Sequence, residues 1–211
     1  MSAAPWEVDA VLKPNRLMLL ARLAMDTRNQ AFAEANHDLG DTSWGIGCKA
    51  HERYVHAVAK LAETTERAWL TVHRDGLAFT SIIDGVAIRA YRGPSEKPHA
   101  RHVYAAQLEL GRAQSRQLAL PFFASAEPGP APEPWAWLMA VETDDEGRAL
   151  RVVLFQANEA GERRNAWVAP LGVGGDDDAP SLFSGARGQD GAALVHARRR
   201  IRARAALSAR A

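Results

Sequence analysis

Two Asp-Gly pairs, Asp75-Gly76 and Asp84-Gly85, divide the stretch from Trp69 to Arg92 into three short runs rich in β-branched and aromatic residues. An Asp-Gly pair supplies the positive backbone φ angles that a two-residue hairpin turn requires. The runs Trp69–His73, Leu77–Ile83 and Val86–Tyr91 therefore predict an antiparallel three-strand meander. This pattern constrains the fold more than any other feature, because a meander must cover one face with something apolar.

Helices supply that cover. Pro14 suits the first turn of a helix, and Leu17, Leu20, Ala21 and Ala24 recur at three- and four-residue spacing, predicting a helix over Pro14–Asn36. His37–Gly47 reads as a loop, with Asp41, Thr42 or Ser43 placed to cap the next helix. That second helix is expected from about Cys48 to Arg67, with Tyr54, Val58, Leu61 and Ala62 on one side. After the meander, His102–Gln117 has helical character weakened by Gly111. A second β block comes next, with strands expected at Trp135–Glu142, Ala149–Ala157 and Asn165–Pro170.

The order ααβββ–α–βββ–α predicts an α+β fold: an N-terminal helical pair, two antiparallel three-strand meanders with an intervening helix, and a C-terminal Arg-rich helix. The two meanders either join in one antiparallel sheet with helices on one side or stay apart. One α+β domain is expected over residues 1–171, with an exposed Pro-rich linker at 125–134. A flexible Gly- and Asp-rich segment is expected at 172–191 and a basic helix at 192–211.

The 211-residue chain has one cysteine, Cys48, which rules out an intrachain disulfide and favours a reducing compartment. No basic region followed by an apolar stretch opens it, and no run of 18 apolar residues occurs. A cytoplasmic protein without membrane association is expected. The net charge of +1 argues against a surface that is basic throughout.

No catalytic signature stands out. His51 and His56 are five apart, about 140° around a helix, which is wrong for a shared metal. His99 and His102 share a face but lack a third ligand nearby. No metal site and no cofactor motif is read. Gly45-Ile46-Gly47 with Lys49 lacks full phosphate-loop spacing, and a turn bringing Trp44 into the core explains it better. If the chain is an enzyme, Cys48, His51 and Asp84 are the candidates, each without support from the others.

Two segments point to partners instead. Six arginines and no acid lie between Arg198 and Arg210. Arg198, Arg199, Arg200, Arg202 and Arg204 are candidate nucleic-acid contacts, the alternative being a helix whose arginines solvate its outer face. The run Gln117-Leu118-Ala119-Leu120-Pro121-Phe122 resembles the short peptide by which bacterial replication and repair proteins dock on the β sliding clamp. The resemblance implies a bacterial protein that contacts the clamp through Gln117, Leu118, Leu120 and Phe122, with the apolar side chains in preformed pockets. The alternation of Leu118, Leu120 and Phe122 also fits a core-facing strand. The functional expectation is a non-enzymatic accessory protein of a DNA transaction. The alternatives are a protein-interaction or homo-oligomeric module and an enzyme whose site is assembled from scattered residues.

Overall fold

A computed structural model describes residues 3–75, 78–118 and 134–171, all within the unit Met1–Leu171. Helix α1 (Pro5–Val8) is a single turn, followed by α2 (Pro14–Ala33) and α3 (Ser43–Ala62). Strands β1 (Leu70–Asp75), β2 (Ala78–Ile83) and β3 (Val86–Arg92) form the first meander. Helix α4 (Ala100–Leu118) then leads to β4 (Ala136–Thr143), β5 (Ala149–Ala157) and β6 (Arg163–Val168). The α+β class and the intervening helix are as the sequence predicts.

The meanders join in one six-stranded sheet, in chain order β1 to β6. The expectation of an antiparallel sheet with helices on one side needs correction. β3 and β4 pair in parallel, with Ile88 opposite Trp137 and Arg92 opposite Val141. Parallel neighbours need a crossover connection, and α4 lies within it. That crossover puts α4 on the sheet face opposite α2 and α3. Trp137, Met139 and Val141 of β4 join Val152 and Leu154 of β5 in the core shared with α2 and α3. The intervening Ala136, Leu138, Ala140, Val153 and Phe155 pack with Val103 and Ala106 of α4. β4 and β5 are thus buried on both faces, as central strands covered on two sides must be.

The first meander turns at Asp84-Gly85 with φ of 43° and 92°, the positive pair that a tight hairpin turn demands. α2 starts with Pro14 in its first turn, as predicted, and buries Leu17, Leu20, Ala21 and Ala24. α3 begins five residues earlier than expected. Thr42 is its N-cap: its Oγ1 accepts a hydrogen bond from the Gly45 amide at 3.1 Å. Gly45 and Gly47 are poor helix formers, but this cap and the buried side chains Ile46, Ala50, Tyr54, Val58 and Leu61 outweigh their cost of roughly 1 kcal/mol each.

Candidate functional site

A cavity of about 350 Å³ opens where α2 and the first half of α3 meet the ends of β3 and β4. The fold makes it in a simple way. α3 approaches α2 through small residues (Ala24, Gly47 and Ala50 all line the space), so the helices do not fill the gap between them. The wall is mostly apolar. Its volume falls within the range of small-molecule sites.

Arg28 stands in this wall. It lies on the buried stripe of α2, one turn beyond Ala24 and one before Ala31, and is only 4% exposed. Nε donates to the Gly147 carbonyl at 2.7 Å, which fixes the plane of the guanidinium. Nη1 is buried and has no hydrogen-bond partner. A buried donor left unpaired is costly, and such groups tend to mark sites where something else binds. Gly47 faces it: a Cβ built there would lie 3.9 Å from Nη1, in ordinary contact. Burial lowers the Arg28 pKa; the neighbouring Arg92 lowers it further, and Asp144 opposes both.

A second buried polar group lines the cavity. Tyr54 is 5% exposed, and its hydroxyl also lacks a partner at hydrogen-bond geometry, although Ser81 lies beside it. Burial pushes its pKa up to about 12, the Ser81 hydroxyl pulling weakly the other way, so it remains a neutral donor. Arg92 ends β3 at the rim and is exposed. Trp44, in the first turn of α3, stands at the mouth and is 79% exposed. This corrects the reading that a turn brings Trp44 into the core: Gly45 and Gly47 are helical, and the helix points Trp44 outward.

Of the enzyme candidates, Cys48 and His51 line this cavity, one turn apart on α3. Cys48 is half-buried and His51 is exposed. Asp84 does not join them. It pairs with Arg16 at 2.6 Å in the β2–β3 turn, at the other end of β3 and roughly 20 Å from Arg92 at strand rise. Asp84 is therefore too far away to act with Cys48 and His51.

Other polar clusters are engaged structurally. Glu142 accepts from the Ser95 amide and from Arg151, and Arg163 donates to Ser95 Oγ at 2.9 Å. His73 on β1 meets Glu109 on α4 at 2.8 Å. His102 stacks on Tyr91 with centroids 4.6 Å apart, and His99 approaches its edge. Among the described residues no group of three His, Cys, Asp or Glu side chains is placed to hold a metal ion.

Gln117 and Leu118 are helical, within α4, so Leu118 does not begin a strand. Leu120 and Phe122 lie outside the described residues, as do Arg198, Arg199, Arg200, Arg202 and Arg204 and the segments 125–133, 172–191 and 192–211. No helix among the described residues is long and apolar enough to cross a membrane.

The sequence does not single out the cavity residues as a group, yet Arg28 carries a signal. An arginine in phase with Leu17, Ala21 and Ala24 falls on the buried face of its helix, where a charge needs a reason. The chain matches no protein-family model, no curated protein and no solved structure.

Proposed function

We propose that the protein binds a small organic molecule in the cavity between α2, α3 and the end of β3. One observation carries the reading: Arg28, deeply buried, lines a mostly apolar space and leaves its Nη1 donor without a partner. A core serving stability alone tends to avoid such groups, since each costs about 1–3 kcal/mol. The reading makes this a binding module.

An NMR screen of small aromatic and aliphatic compounds against uniformly 15N-labelled protein tests it. Amide shifts are expected to cluster at Trp44, Gly47, Cys48 and Ala90. Shifts scattered over the surface, or none at millimolar compound, would count against a site here.

A second reading rests on the sequence. Gln117 and Leu118 lie in α4, and the Pro-rich segment follows a few residues later in the sequence. Docking on the bacterial β sliding clamp through Gln117, Leu118, Leu120 and Phe122, with nucleic-acid contact through Arg198–Arg204, is compatible with a ligand site elsewhere in the domain. A ligand-regulated accessory protein of a DNA transaction would combine the two.

A further inference from the structure

Resting on the proposal of a ligand cavity, we infer that its occupant is an organic monocarboxylate with a planar apolar body. The head group follows from Arg28. Its guanidinium is 4% exposed, is oriented by the Nε bond to the Gly147 carbonyl, and presents a buried Nη1 without a partner. A carboxylate is the smallest common group that matches a guanidinium edge, and it would give the unpaired donor an acceptor and the cation a contact ion pair. Neither Arg28 nor Arg92 has an ion-pair partner within 4.0 Å among the described residues; Glu52, the acid in the wall, is exposed, and Asp144 acts on Arg28 without contact.

A single negative charge fits better than two. Only Arg28 is buried, while Arg92 is exposed at the rim. A phosphate monoester would bring a second charge into a largely apolar space with no second buried cation to meet it, and desolvating that charge is expensive.

The body follows from the walls and the mouth. Ala24, Ala50, Ala90 and Val141 offer small apolar surfaces, and about 350 Å³ accommodates roughly one or two rings. Trp44 stands exposed over the entrance, the place for an aromatic side chain to stack on a flat ligand. Gly47 keeps the approach to Arg28 Nη1 open.

The test compares three probes on the full chain by 15N-1H titration: naphthalene-2-carboxylate, its neutral carboxamide, and 2-naphthyl phosphate. The carboxylate is expected to shift Gly47 and Cys48 and to bind at least about tenfold tighter than either of the others, the loss expected when a charge-assisted hydrogen bond is removed. Gly47→Ala, which favours the helix and fits without a clash, should reduce that preference. Arg28→Gln should abolish it, with circular dichroism and dispersed 15N-1H amide signals confirming that each variant folds. Equal binding of carboxylate and carboxamide would overturn the head-group assignment while leaving the cavity reading intact. Tighter binding of the phosphate would overturn the monoanion. Failure of all three to bind would take the cavity reading down as well.

Discussion

Arg28 Nε donates to the carbonyl of Gly147 at 2.7 Å, tying the buried face of α2 to the β4–β5 hairpin turn 119 residues along the chain. Gly147 adopts φ of 97°, and a Cβ there would come within 2.8 Å of Arg28 Nη2. The turn that closes the hairpin therefore also orients the side chain at the candidate site. Asp144 completes the turn: its carbonyl accepts from the Gly147 amide at 3.0 Å and its carboxylate from the Arg148 amide at 2.8 Å.

Gly147→Ala should destabilise the protein by about 1–2 kcal/mol through backbone strain alone, and by more if the displaced guanidinium cannot find a new rotamer. Urea denaturation measures this. A midpoint unchanged from wild type would mean that the turn relaxes freely and does not hold Arg28.

Arg28→Met should leave stability within about 1 kcal/mol of wild type. The substitution removes the bond to Gly147 but also a desolvated cation with no ion-pair partner, and these two effects oppose each other. A loss of roughly 3 kcal/mol or more would show that Arg28 serves the fold rather than a ligand. The same urea melts decide it.

His102 makes the fold sensitive to acid. Burial against Tyr91, reinforced by the positive charges of Arg101 and Arg89 and by His99, lowers its pKa to about 4. A base with a depressed folded-state pKa binds its proton more readily when the chain is unfolded. Its penalty is absent above pH about 6.5, grows as pH falls, and is complete below about 4. His102 is only half-buried, so solvent screening limits the effect to the order of 1–2 kcal/mol. His102→Phe, which can keep the stack on Tyr91, should flatten the change in stability between pH 7 and 4.5. An equal acid loss in both proteins would assign it to other groups.

The partner reading makes a separate prediction. Purified bacterial β sliding clamp should retain the wild-type chain and release the Gln117→Ala, Leu120→Ala double variant. Equal recovery of both would remove the clamp from consideration. DNA binding, if it runs through Arg198–Arg204, should weaken steeply with salt and vanish on truncation before Arg198. Binding that survives either treatment must use another surface.

How much of this is legible in the sequence depends on how far each feature lies from its cause. The Asp84-Gly85 turn and the strand Ala149–Ala157 are local, and they fold where the sequence places them. The sequence puts the start of α3 too late because Gly45 and Gly47 look like loop residues, whereas the Thr42 cap and the buried Ile46 and Ala50 hold them in the helix. The parallel junction of β3 and β4 is not legible, because strand direction there is set by the path of α4 and not by either strand's residues. The cavity is the hardest feature to see. Arg28, Tyr54 and Arg92 come from three elements that meet only in the folded domain. The one local hint is an arginine in phase with the apolar stripe of α2.

The most direct measurement uses the chain's only thiol. Cys48 lines the cavity and is half-buried, so a bound molecule should shield it. Alkylation by iodoacetamide, followed by intact mass, should slow at least about fivefold when naphthalene-2-carboxylate saturates the protein, because burying the reactive group limits access. The protection should follow the same concentration dependence as the Gly47 amide shift. An alkylation rate unchanged at saturation would contradict a ligand site between α2 and α3.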